Sequence, residues 1–152
     1  MKRPIVLIAH NIRSVWNVGA FFRTADAFGI THIHLTGYTS SPPRYEISKT
    51  ALGSEEWIPW SKTDDPFTVM KERRDEGYEI VALEISKGSI PLSDFHSKKP
   101  LCLIVGHEVL GVSPELLQAA DSSVHIPMLG KKESLNVSVA LGIALYQLTN
   151  RC

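Results

Sequence analysis

The chain has 152 residues, 43% of them hydrophobic and 21% charged, the proportions of an ordinary globular domain rather than a disordered one. Its 16 basic and 16 acidic side chains cancel, so affinity for nucleic acid must come from a local patch and not from overall charge. The two cysteines, Cys102 in an apolar run and Cys152 at the end, exclude a disulfide framework and a zinc spacing and fit a reducing, cytoplasmic setting.

The first apolar run, Pro4-Ile5-Val6-Leu7-Ile8-Ala9, is too short for the core of a signal peptide, and no later segment is long enough to span a membrane. Its β-branched content predicts a strand covered on both faces. In "NVGAFFRTADAFG" (17–29), Val18, Phe21, Phe22, Ala25 and Phe28 recur at helical spacing, predicting a helix from near Asn17 to a cap at Gly29. Residues 31–37 alternate as a second strand. Residues 38–56 read as a polar loop, with "WIPW" (57–60) as a short edge strand. Asp64 or Asp65 before Pro66 starts a helix that stops at Gly77. Residues 78–86 and 101–106 are further strands, separated by a loop bearing Gly, Pro and Lys. Ser113-Pro114-Glu115 opens a short helix, residues 123–128 form another strand, and a long final helix begins at Ser134. Strands alternating with helices predict α/β architecture, a mainly parallel sheet flanked by helices in a single domain over residues 1–152.

The final helix is apolar almost all round from Leu135 to Leu148, which predicts burial on most sides, either in the core or shared with a subunit interface. The chain has no glycine-rich dinucleotide fingerprint, no Walker sequence and no nucleophile elbow. His32 and His34 share a strand face but lack a third ligand, so no metal site is expected. His107 and His125 lie at strand ends, where structural or solvent-facing roles compete with functional ones.

Three stretches follow or precede strands. Asn17-Val18-Gly19 with Arg23 opens the first helix; taken alone, Asn17 is a good N-cap and Arg23 a surface partner for Asp26. Gly106-His107-Glu108 with Gly111 lies just beyond a buried strand, placing a glutamate at the carboxyl edge of the sheet. Ile126-Pro127-Met128 leads through a Gly-Lys-Lys loop to Ser134-Leu135-Asn136; Ser134 suits an N-cap, while Asn136 is a polar group entering an apolar helix, and buried amides need partners.

Together and in order, Asn17-x-Gly19-x-x-x-Arg23, Gly106-x-Glu108-x-x-Gly111 and Ile126-Pro127-Met128 with Ser134-Leu135-Asn136-Val137-Ser138 resemble the three motifs of the SpoU/TrmH family of SPOUT RNA methyltransferases. "KTALGSEEW" (49–57) resembles the family's middle segment, and the similarity runs from about residue 5 to 148. The resemblance implies methyl transfer from S-adenosyl-L-methionine to a ribose 2′-hydroxyl of tRNA or rRNA, a SPOUT fold with a C-terminal trefoil knot, and a homodimer. It also implies cofactor binding around Leu83, Glu84, Gly106, Ile126, Met128 and Leu135, and a reaction centre of Arg23, Asn17, Glu108, Ser134 and Asn136. Arg23 is expected to clamp a phosphate and stabilise developing alkoxide charge, because a guanidinium is a poor base.

"SLNVSVA" stands nearer the branch acting on the tRNA D-loop or on ribosomal sites than the wobble-position branch. Within these 152 residues there is no added RNA-binding domain or basic extension. RNA contacts are therefore expected from Arg13, Arg44, Lys49, Lys98, Lys99, Lys131 and Lys132. Two other readings stand beside this one: a non-catalytic RNA-binding member of the same fold, which the set Asn17, Arg23, Glu108 and Asn136 argues against, and another α/β nucleotide-binding enzyme, which lacks its phosphate-loop signature.

Overall fold

The structure is a computed structural model that describes residues 2–150; the expectation placed on Cys152 lies outside the described residues. Its frame is a seven-stranded sheet in the order β3-β2-β1-β6-β4-β7-β5, and every strand pair in it is parallel. The strands are β1 (Ile5–His10), β2 (His32–Thr36), β3 (Trp60–Thr63), β4 (Glu79–Leu83), β5 (Ile90–Pro91), β6 (Leu101–Val105) and β7 (Ser122–His125). The helices are α1 (Val15–Phe28), α2 (Tyr45–Ala51), α3 (Pro66–Asp75), α4 (Pro114–Ala119) and α5 (Val137–Thr149).

The continuous apolar runs of β1 and β6 have a simple cause. Leu7, Ala9, Leu101 and Leu103 point into the core beneath α1, α2 and α5, whereas Val6, Ile8, Cys102 and Ile104 point into a second core beneath α3 and α4. Both faces are covered, so neither tolerates a polar alternation. Phe21 and Phe22 are fully buried in the first core and fix α1 on the sheet.

Three local expectations are corrected. Helix α1 starts at Val15, and Ser14 rather than Asn17 caps it: the Ser14 hydroxyl accepts from the Asn17 N–H at 3.3 Å. Gly29 does close the helix, at φ 69°. Residues 38–56 are not all loop, since they hold α2 and a 3-10 turn at Ser54–Glu56. Arg44 precedes α2 with no side-chain cap, so the usual start signal is missing, and the helix is held by burying Ile47 and Ala51. The final helix starts at Val137, three residues later than expected, with Asn136 as its cap. Within the single chain it is buried on one side by Leu141, Ala144, Leu145 and Leu148, while Val139, Ile143 and Tyr146 form an exposed apolar stripe.

Candidate active site

The carboxyl ends of β4, β6 and β7 open into a cleft that encloses about 130 Å³ and continues into open solvent. Leu83 and Glu84 follow from β4, Val105, His107 and Glu108 from β6, and His125, Ile126 and Met128 from β7. Ser134, Leu135, Val137 and Ala140 close the far wall. Residues 127–135 make no hydrogen bond among the described residues, so the backbone donors and acceptors of this loop are available to a ligand.

One carboxylate organises the edge of this cleft. Glu108 accepts from the backbone N–H groups of Ser14 at 2.9 Å and Arg13 at 3.0 Å, and from the Asn17 amide at 3.2 Å. It thereby satisfies donors at the start of α1 that the helix itself cannot. Partial burial pushes the Glu108 carboxyl upward, but the bonds from Ser14, Arg13 and Asn17 outweigh this and hold it below the ordinary range. Asn17 in turn accepts from the Ser138 hydroxyl at 2.9 Å. The chain from Glu108 through Asn17 to Ser138 thus ties α1, the loop after β6 and α5 together.

A second carboxylate shapes the loop itself. Glu84 accepts from the Val112 N–H at 3.0 Å, and its own N–H is used by Val124 at 2.9 Å. The His107 ring nitrogen Nδ1 accepts from the Val109 and Leu110 N–H groups, closing a tight turn. Gly106 lies against the backbone of Gly111, where a Cβ would collide. Among the described residues no group of three or more His, Cys, Asp or Glu is placed to hold a metal ion.

A model of the SpoU rRNA Methylase family matches residues 4–146. The chain belongs to that family. The tRNA (guanosine(18)-2′-O)-methyltransferase of Aquifex aeolicus is 36% identical over 147 residues, covering 96% of this chain and 69% of that protein. The AdoMet-bound rRNA methyltransferase from Sinorhizobium meliloti superposes with a TM-score of 0.91 at 29% identity, over 99% of this chain and 57% of that one. The A. aeolicus TrmH/SpoU tRNA modifying enzyme gives 0.88 at 34% identity, over 99% of this chain and 76% of that one. The chain therefore spans a little over half of the S. meliloti protein.

The SpoU motifs do not all converge in the single chain. Leu83, Glu84, Glu108, Ile126, Met128, Ser134 and Leu135 line the cleft, Gly106 sits between two lining residues, and Asn17 joins it through Glu108. Arg23 does not line it. Its side chain is exposed, with no partner among the described residues, and the pairing with Asp26 considered above is absent because Asp26 accepts from the Trp57 indole at 2.7 Å. Asn136 is exposed rather than buried, and its side chain caps α5 by accepting from the Ser138 N–H at 2.8 Å and the Val139 N–H at 3.4 Å. Ser134, the other candidate cap, is two residues too early and lines the cleft.

Sequence reasoning gave no site role to Ser138, although it stands in the third motif; a hydroxyl one turn into an apolar helix was the available signal. His125, met above only as a strand-end residue, also lines the cleft. Its Nδ1 bonds the Ser89 hydroxyl at 2.8 Å, and that hydroxyl donates to the Ser86 carbonyl at 2.8 Å. Because Ser89 has one proton to give, His125 Nδ1 is the donor, which leaves Nε2 as an acceptor.

Proposed function

We propose that the chain transfers a methyl group from S-adenosyl-L-methionine to a ribose 2′-hydroxyl of tRNA or rRNA. The observation that carries this reading is the Glu108–Asn17–Ser138 junction, which unites segments 91 and 121 residues apart beside the cleft at the carboxyl edge of the sheet. The names of the Aquifex and Sinorhizobium relatives support the same chemistry.

The cleft suits the cofactor. Leu83, Ile85, Val105, Ile126, Met128 and Leu135 offer apolar walls for an adenine, and the unpaired backbone of residues 127–135 offers donors and acceptors to its edge. When bound, the cofactor supplies an electrophilic methyl group on a sulfonium. The chain's own part is to hold and align: Glu108, Asn17 and Ser138 fix the cleft's edge, and rigid positioning of oxygen, methyl and sulfur supplies much of the rate. We read Arg23 as a clamp for the phosphate beside the target ribose and a stabiliser of alkoxide charge, since a guanidinium does not give up its proton near neutrality.

An exposed stripe on α5, formed by Val139, Ile143 and Tyr146 and continued by Leu135, supports a homodimer in which this face is covered. Within it, Arg23 completes the site of a second copy, which accounts for its distance from the cleft of its own chain. The crossed strand order, with β6 inserted between β1 and β4, supports the trefoil knot. No helix of the described residues is long and apolar enough to cross a membrane. Cys102 is buried, and burial pushes its thiol up to about 12, so it is an inert core residue suited to the cytoplasm.

The deciding experiment is methyl incorporation from labelled cofactor into total tRNA and total rRNA, followed by mapping of the 2′-O-methyl position. Transfer to either RNA at a ribose is expected. Failure of the folded protein to bind S-adenosylhomocysteine in calorimetry would overturn the reading.

A further inference from the structure

Beyond the cleft, the carboxyl edge of the sheet continues over β1, β2 and β3, and there the chain builds a turn whose outcome is an exposed aromatic ring. Tyr38 is 58% exposed. A single exposed tyrosine is ordinary, but this one stands on backbone that is bonded on every side. Asn11 and Gly37 both take left-handed conformations, at φ 53° and 62°. The Asn11 side-chain oxygen accepts from the Tyr38 N–H at 3.1 Å, and the Asn11 N–H donates to the Thr36 carbonyl at 3.2 Å. A Cβ on Gly37 would overlap that same Asn11 oxygen, so only glycine allows the approach. The Gly37 N–H donates to the Asp64 carbonyl at 3.2 Å, and the Lys62 ammonium donates to the Gly37 carbonyl.

Thr39, fully buried, completes the lock. Its hydroxyl donates to the Ala9 carbonyl at 2.9 Å and accepts from the Ile12 N–H at 3.0 Å. The turn after β2 is therefore fastened to both sides of the β1–α1 loop. Non-glycine left-handed residues and close glycine contacts concentrate where a fixed presentation has a use. What is presented here is an exposed aromatic side chain.

The location gives that ring a use. Asn11 is two residues from Arg13, so their Cα atoms lie within about 7 Å. The Arg13 N–H is one of the donors to Glu108 at the cleft edge. The Arg13 guanidinium is exposed and has no partner among the described residues. An exposed aromatic residue bonded to Asn11 through its backbone, and an exposed arginine two residues beyond Asn11, thus border the edge of the cleft. Unpaired RNA bases are recognised by stacking on rings of this kind, with arginine on the adjoining backbone.

We propose that Tyr38 is a stacking platform for an unpaired base of the substrate RNA close to the methylated nucleotide, with Arg13 meeting the neighbouring phosphate. The inference rests on the methyltransferase reading and deepens it: the substrate is single-stranded where it crosses this edge. Asp64 and Asp65 border the turn; the Asp64 carbonyl accepts from the Gly37 N–H, and the Asp65 carboxylate caps α3 by accepting from the Phe67 N–H.

The test is steady-state methyl transfer to total tRNA and total rRNA by wild type, Tyr38→Ala, Tyr38→Phe and Arg13→Gln, with S-adenosylhomocysteine affinity measured on each. Stacking is worth about 1–3 kcal/mol per base, so Tyr38→Ala should raise the KM for RNA about 5- to 150-fold. Its kcat and cofactor affinity should stay near wild type, and Tyr38→Phe should restore KM. Arg13→Gln should lower the slope of log affinity against log salt by about one. An unchanged KM in Tyr38→Ala, a phenylalanine variant as weak as the alanine one, or a change of oligomeric state in Tyr38→Ala overturns the proposal while leaving the methyltransferase reading in place. A wild type that binds S-adenosylhomocysteine yet methylates neither RNA overturns that reading, and this inference with it.

Discussion

The first turn of α1 and the turn that carries Arg23 belong to one helix and one sequence motif, yet their polar groups have opposite fates. Asn17 is engaged at both ends of its amide, giving to Glu108 and accepting from Ser138, while Glu108 also takes the N–H groups of Arg13 and Ser14. Arg23, six positions on, is exposed and has no partner among the described residues. Polar groups bonded to each other inside the chain hold architecture, since each would cost free energy if left unmade. A long cation held without a partner on a helix whose other face is locked by Phe21 and Phe22 is available to something outside the chain. The difference separates polar groups committed to bonds inside the chain from one left facing solvent.

Variants in the two turns should therefore fail in different ways. Arg23→Lys keeps the charge and loses the planar fork. Turnover at saturating RNA should fall about 10²-fold, on the scale of removing one transition-state donor, with the thermal midpoint unchanged. Near-normal turnover would place Arg23 on the architectural side or outside the site altogether. Glu108→Ala should do the reverse in kind: stability falls by about 1–2 kcal/mol in denaturant unfolding, because the Arg13 and Ser14 N–H groups lose their acceptor. Activity then falls with the loss of the cleft edge. A Glu108→Ala protein as stable as wild type would show that these bonds are incidental.

A smaller effect is expected at Asn136, whose side chain serves as the cap of α5. Asn136→Ala should cost about 1 kcal/mol, and Asn136→Ser should recover most of it. If the serine variant is stable but inactive in methyl transfer, Asn136 acts on substrate as well as on the helix, and the division drawn above has a residue on both sides.

The least effect, and a separable one, is the acid profile. Burial first, then His32 and Arg73, lower the His34 pKa from 6.5 to about 3, and its Nε2 accepts from Arg73 at 3.0 Å. The unfolded chain takes up this proton near pH 6.5 and the folded chain does not, so stability falls as pH drops from about 7 towards 5. His10 and His32, lowered chiefly by burial, act in the same direction. Glu108 is held below 4.5, so its contribution is present above that value and is lost only as pH falls through the lower folded value. Melting curves from pH 7 to 5 should therefore flatten in His34→Gln and keep their slope in Glu108→Gln. The opposite pattern would mean that the α1 junction, not the β2–α3 contact, is the acid-sensitive one.

Much of this molecule could be read from one sequence because local physics and global structure agree over most of it. The two-sided apolar runs of β1 and β6, Asp65-Pro66 at the head of α3, Ser113 before α4 and Gly29 after α1 are each signals whose cause lies within a few residues. The order and spacing of Asn17, Arg23, Glu108 and the stretch from Ile126 to Ser138 carried the family. Tertiary structure decided what depends on partners far along the chain. Helix α2 has no capping signal and exists because Ile47 and Ala51 find a core to bury in. Asn17 lies inside the first turn of α1, its amide bonded to Glu108 and Ser138 from 91 and 121 residues away, and the cap falls to Ser14. Asn136 is the cap of α5, and the final helix keeps an exposed apolar stripe that no other element of the described residues covers. Propensity and periodicity act over a few residues, whereas the satisfaction of a polar group or an apolar face is settled by whichever distant segment the fold brings to it.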